Sequence, residues 1–186
     1  MKVKIINLAK RTDRWQQVVK DVTAFGITDF ERFDAFDGGY LGFNKSVHTA
    51  LENERELLLL EDDVYFTGTL NDLLQAKEML PDDWDLLYLG ANVLSPQRRF
   101  NGVLWNLKDA WTSHAILYSD KGARWCYEHF DPQEGTIYDE WLRTVAQKQL
   151  RCFIINPMIA FQRDGFSDIW GTENTYGLKD TERFLQ

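Results

Sequence analysis

Apolar positions along the chain come in short blocks, and the spacing inside each block predicts an element. Residues 3–8 (VKIINL) are mostly apolar and rich in β-branched side chains, which suits a buried strand. Thr12 or Asp13 is placed to cap a helix reaching Phe25, with Gly26 as its stop. Residues 30–36 alternate, with Phe30, Arg32, Asp34 and Phe36 on one face and Glu31, Phe33 and Ala35 on the other, as in a second strand. Gly38-Gly39 breaks the chain, a helix follows over 43–54, and the four leucines 57–60 form a strand. Further on, the pattern predicts helices over 71–80, 120–130 and 139–148, and strands over 85–89, 115–118 and 152–155. The stretch 91–111 has no regular pattern and reads as a hairpin or mobile loop. Strands alternating with helices imply an α/β fold whose sheet is parallel in its first half.

Composition changes this picture little. With 186 residues and 44% hydrophobic content, one domain with its own core is expected, and no repeat or linker divides it. A net charge of −8 argues mildly against nucleic acid as a partner, because that binding is driven by cation–phosphate contacts. Cys126 and Cys152 have no metal-ligand spacing and read as reduced core thiols. The start, MKVKIINLAKR, is not a signal peptide, and no apolar run approaches the ~20 residues of a membrane helix. The expectation is a soluble, cytoplasmic protein without a transmembrane segment.

The segment ELLLLEDDVYFTG carries the first chemical signal. Four leucines run into Glu61, Asp62 and Asp63, and the chain then returns to Val64, Tyr65 and Phe66. If the strand direction persists, Glu61 and Asp63 share a face. Two carboxylates a few ångströms apart repel by ~1 kcal/mol in water and ~4 kcal/mol at an effective dielectric of 20. A divalent cation turns that repulsion into coordination, and hard oxygen ligands suit Mg²⁺ or Mn²⁺. Ligands of α/β sheets bind beyond the carboxyl ends of the strands, where these acids fall. The other reading is a polar loop after a strand.

The segments IINLAKRTDRW (5–15), DAFDG (34–38), LGFNKSVH (41–48), LLLLEDDVYF (57–66), SHAILYSDKGA (113–123) and PMIAFQRDGFSDI (157–169) occur in this order. Together they resemble glycosyltransferase family 25, which includes bacterial lipooligosaccharide galactosyltransferases and collagen galactosyltransferases. The sequence differs from the family pattern at His48, one place late, and at His114, where the family has Tyr. The resemblance implies a GT-A-like, Rossmann-type nucleotide-sugar-binding domain with a mixed, mainly parallel sheet flanked by helices. It implies inverting transfer of a hexose, galactose or glucose, from a UDP-sugar to a hydroxyl of a surface glycan such as lipopolysaccharide, with Mn²⁺ or Mg²⁺. Residues 1–90 would form the donor half, and 91–186 the acceptor side and closing segment.

On this reading Asn7 and Leu8, at the end of the first strand, meet the nucleotide. Arg11 and Arg14, three apart on one helix face, and Lys45 are placed for the base or diphosphate. Asp63 is the first metal ligand, Glu61 its same-face partner or a contact to the ribose hydroxyls, and Asp62 a contact to ribose or backbone. The resemblance implies that the C-terminal segment closes over the donor, so that Asp168 or Gln162 completes the metal set; His48 and His114 are rivals. Asp139, with Glu140 beside it, is the expected base that takes the acceptor's proton, though as an Asp at a helix start it could also be only a cap. Trp105, Trp111, Trp141 and Trp170 could stack on an acceptor sugar. Three other functions fit less of the sequence: a metal-dependent phosphodiesterase, a non-catalytic sugar-nucleotide-binding domain, and transfer of a sugar to a modified DNA base.

Overall fold

The computed structural model describes residues 1–177, 181 and 183–185. The chain begins β1 (Lys2–Asn7), α1 (Thr12–Phe25), β2 (Glu31–Asp34), α2 (Gly39–Leu51), β3 (Leu57–Glu61), β4 (Val64–Phe66), α3 (Leu70–Glu78) and β5 (Leu86–Tyr88). It continues β6 (Asn92–Val93), β7 (Arg98–Arg99), β8 (Leu104–Asn106), β9 (Ala110–Trp111), β10 (Ala115–Tyr118) and α4 (Asp120–His129). A helical stretch follows, made of α5 (Tyr138–Trp141), a π turn (Leu142–Ala146) and α6 (Gln147–Gln149). Last come β11 (Cys152–Ile155), β12 (Ala160–Gln162), β13 (Gly165–Ser167) and β14 (Thr172–Asn174).

One eight-stranded sheet, ordered β2-β1-β3-β10-β5-β11-β8-β7, divides the molecule. β1 pairs parallel with β2 and β3, as the alternation of strands and helices predicts. β10 then runs antiparallel between β3 and β5, while β11 is again parallel to β5. All strands but β10 and β8 point the same way, so the sheet is mixed and mainly parallel.

The alternation of side chains in the central strands feeds two cores. Leu57 and Leu59 of β3, with Tyr88, Ile116 and Ile154, pack against α2, α4 and α5. Leu58 and Leu60, with Ile5, Leu87 and Phe153, pack against α1 and α3. All four leucines of β3 are at most 3% exposed, and burial of each stabilises by ~1.5–3 kcal/mol. A strand buried on both faces reads as an unbroken apolar run, which is why LLLL shows no period.

Several expectations shift. Neither Thr12 nor Asp13 caps α1: Arg11 holds the N-cap position without a side-chain bond, and Asp13 pairs with Arg11 instead. Gly26 does close α1 in the left-handed conformation, φ 112°. α2 starts at Gly39 rather than 43, because Gly38 and Gly39, at φ 129° and 62°, turn the chain straight into the helix. The strand direction does not persist through the acids. β3 ends at Glu61, Asp62 and Asp63 form a turn, and β4 leaves the main sheet to pair with β12. Residues 91–111 are no loose loop: they hold four short strands, of which β7 and β8 extend the sheet beyond β11. These two-residue and three-residue pairings are too short to leave a period in the sequence.

Candidate functional site

The acid triplet opens into a cleft at the carboxyl end of the parallel strands. Leu8, the loop 35–39, the three acids and the C-terminal segment around Ser167, Asp168 and Tyr176 line it. α2 abuts that loop closely: a Cβ on Gly42 would lie 2.4 Å from the Phe36 carbonyl oxygen, so only glycine lets the helix approach.

Asp62 is held from two sides. Asn7 Nδ2 donates to its Oδ2 at 2.6 Å, and Arg14 donates to its Oδ1 at 2.9 Å. Asn7 is buried and spends its remaining capacity on the Arg11 carbonyl oxygen and on a bond from Arg32 to its Oδ1. Asn7 therefore fastens β1, α1 and the acid turn together while lining the cleft.

Asp63 differs. Its Oδ2 accepts from Gln162 Nε2 at 3.1 Å and lies 3.6 Å from Arg14, but its buried Oδ1 has no hydrogen-bond partner. The buried Oε1 of Gln162 is also unpartnered. Leaving such oxygens unmatched costs about 1–3 kcal/mol each, more for a charge. Burial, and then the Asp62 charge, push Asp63 up to about 6 against the pull of Arg14. Among the described residues no three His, Cys, Asp or Glu side chains converge in an arrangement to hold a metal. Asp168, expected as a ligand, is engaged by Arg11 and lies 3.9 Å from Lys10. The donor set that fits a hard cation is thus Asp63 with the Gln162 carbonyl oxygen, both hard oxygens, beside the Glu61 carboxyl.

Arg14 lines the cleft and also donates to the Phe166 carbonyl oxygen. Arg11 faces Asp13 and Asp168. Both arginines sit on one side of α1, as their spacing predicts, and tie it to the C-terminal segment. Lys45 is exposed, its Nζ 4.1 Å from the centre of the Phe36 ring. His48 stacks on Tyr127, and His114 is buried with its ring beside Thr112 and the Ala160 carbonyl oxygen. Burial pushes His114 down to about 4, so its ring is neutral, and neither histidine faces the acids.

A second cleft adjoins the first through Phe43, Glu61, Gln162 and Tyr176. Asp139, Trp111 and Trp170 line it. Trp105 and Trp141 are core residues, 7% and 5% exposed, so only two of the four expected tryptophans are placed to stack on a ligand. Asp139 is not a cap: Ile137 holds that position, and no side chain closes the helix end. Glu140 forms a bidentate pair with Arg143. Between the clefts stands Ser113, a residue not singled out by its sequence context. Its Oγ lies 2.8 Å from Glu61 Oε1 and 2.6 Å from Asp139 Oδ1. A hydroxyl has one proton, so it can donate to only one carboxyl and accepts from the other, which must then carry a proton. Burial raises both: Asp139 to about 6, and Glu61, with Asp63 and Asp139 nearby, well above the usual carboxylate range.

No protein-family model matches the chain, and no curated protein sequence matches it. Solved structures do. The chain superposes on A197 from STIV with a TM-score of 0.54 and 11% identity, covering 93% of each chain. A Drosophila beta-1,4-galactosyltransferase 7 variant in complex with manganese, UDP-Gal and xylobiose gives 0.53 at 12% identity, over 98% of this chain and 79% of that one. A glycosyltransferase involved in glycosylating the major capsid of PBCV-1 gives 0.50 at 8% identity, over the whole of both chains. The topology built by β1 to β11 is therefore a GT-A-type fold.

Proposed function

We propose that this protein is a metal-dependent inverting glycosyltransferase that moves a hexose from a UDP-sugar to a hydroxyl of a glycan acceptor. One observation carries the reading. A buried carboxylate oxygen of Asp63 and a buried carbonyl oxygen of Gln162 stand unpartnered at the carboxyl end of the central strand. Asp62 and Asp63 line the cleft beside Arg14, the one lining cation among the described residues, so two carboxylates meet one guanidinium where a diphosphate would enter. A resident Mn²⁺ or Mg²⁺ held by Asp63 and Gln162, with Glu61 beside them, would neutralise the diphosphate and the charge that develops as it leaves. The family-25 resemblance and the neighbours of the same fold support the UDP-hexose donor.

The chain's own residues then divide the work. Arg14 and Asn7 hold Asp62, which keeps the acid turn rigid. Asp62, Leu8 and the 35–39 loop would frame the donor nucleoside, while Arg11 and Lys45 lie outside the lining. The second cleft would seat the acceptor, with Trp111 and Trp170 offering faces to a sugar ring. Asp139 would accept the acceptor hydroxyl's proton as that oxygen attacks the anomeric carbon. Among the described residues, no lysine or arginine lines this cleft.

The test needs no acceptor. A panel of nucleotide sugars is incubated with the protein and Mn²⁺, Mg²⁺ or EDTA, and released nucleotide is measured. Release of UDP from a UDP-hexose with the ion and not with EDTA is expected. Release that is insensitive to EDTA would remove the metal, and no release from any donor would favour a non-catalytic binding domain.

A further inference from the structure

We propose that Ser113 is the positioning residue for Asp139: its hydroxyl fixes one oxygen of that carboxylate and leaves the other toward the acceptor. The inference rests on the glycosyl-transfer reading. Ser113 Oγ holds Asp139 Oδ1 at 2.6 Å, while Oδ2 makes no hydrogen bond among the described residues and Asp139 lines the second cleft. The same hydroxyl holds Glu61, at the edge of the first cleft, so a single side chain sets the spacing between the donor-side and acceptor-side carboxyls.

The backbone around Ser113 is built to hold it. β10 runs antiparallel to β3, and the Glu61 amide donates to the His114 carbonyl oxygen at 3.0 Å, locking residues 113–114 beside the acid turn. The preceding residue, Thr112, adopts φ 76°, a conformation that a β-branched residue rarely takes and that costs about 1–3 kcal/mol. Its hydroxyl oxygen accepts from the Asn92 amide at 3.4 Å and lies 3.2 Å from His114 Nδ1, which anchors the turn. That turn places Ser113, 5% exposed, between the two carboxyls. Strain held by a specific hydroxyl next to a bridging hydroxyl fits a pre-organised site better than a solvated turn.

Single-turnover transfer is measured for wild type, Ser113→Ala, Ser113→Thr, Asp139→Asn and the Ser113→Ala/Asp139→Asn double variant, with donor affinity by calorimetry. Ser113→Ala should slow transfer by about 10- to 100-fold with donor affinity unchanged, the scale of a misplaced reacting group. Ser113→Thr, which keeps the hydroxyl, should recover most of the loss. The double variant should be no slower than Asp139→Asn alone. A wild-type rate in Ser113→Ala, or a further loss of the same size in the Asp139→Asn background, would overturn the assignment. Crystal structures of wild type and Ser113→Ala judge the contact apart from turnover: the Asp139 carboxylate should rotate in the variant, and an unmoved carboxylate rejects positioning. A wild-type enzyme that turns over no nucleotide sugar defeats the functional reading instead.

Discussion

Asp63 and Asp139 are both pushed up to about 6, yet they answer to different neighbours. Asp139 has a hydroxyl partner and faces the acceptor cleft, the setting of a base that gives up its charge only when a proton arrives. Asp139→Asn should therefore cut the transfer step by about 10²–10⁴ while donor affinity holds, read by single-turnover rates beside calorimetry. Because Asp139 is not the helix cap, its apo stability should not fall through loss of a cap. Asp63, with an unpartnered oxygen, loses stability by being ionised when no cation is present. Its folded pKa lies above the unfolded value of ~3.9, so the native state binds the extra proton and stability declines as pH rises from about 4 through about 6. Asp63→Asn carries no such penalty. Without metal, the variant should melt at or above wild type at pH 7.5, by up to ~3 kcal/mol less the lost Arg14 contact, and the gap should close toward pH 4. A gap that does not change with pH, or a variant less stable at pH 7.5, would make Asp63 a structural acid.

At the scale of elements, the C-terminal β13-β14 hairpin is the piece that roofs the donor cleft, and α1 holds it by two arginines. Asp168→Asn removes one of those ties without changing size. Hydrogen exchange across 165–174 should then quicken by about tenfold while β1, β3 and β10 exchange as before, and equal rates would show that Arg14 alone suffices. The sequence does not show this tie, and there Asp168 or Gln162 reads as the third metal ligand; a carboxylate 157 positions from its arginine leaves no local trace. What local pattern carries did emerge: α1 and α4 are periodic, β1, β3, β10 and β11 are unbroken or nearly unbroken apolar runs, and all appear near their expected bounds. The acid turn and Asp139 stood out because their residue types are unusual beside apolar runs. Ser113 did not, because its meaning depends on β10 entering antiparallel between β3 and β5, a pairing set by tertiary packing. For the same reason the short strands between 92 and 111 were hidden.

For the whole molecule, the proposed function joins the net charge of −8 and the acid-lined first cleft in one expectation: an anionic donor would need a cation to enter. The described helices include none long and apolar enough to cross a membrane. Ligand that binds only the folded state at 100 times its dissociation constant stabilises by ~2.7 kcal/mol, which for a chain of this size raises the melting temperature by roughly 5–10 °C. UDP with Mn²⁺ should produce a shift of that order. UDP with EDTA should produce almost none, because the unpartnered Asp63 oxygen then faces the diphosphate unscreened. Mn²⁺ alone should give a smaller rise, which Asp63→Asn abolishes, since the unpartnered Asp63 oxygen is where the ion would be held. Equal shifts for UDP with and without the ion would mean that Arg14 carries the diphosphate alone and that the unpartnered oxygens serve some other group.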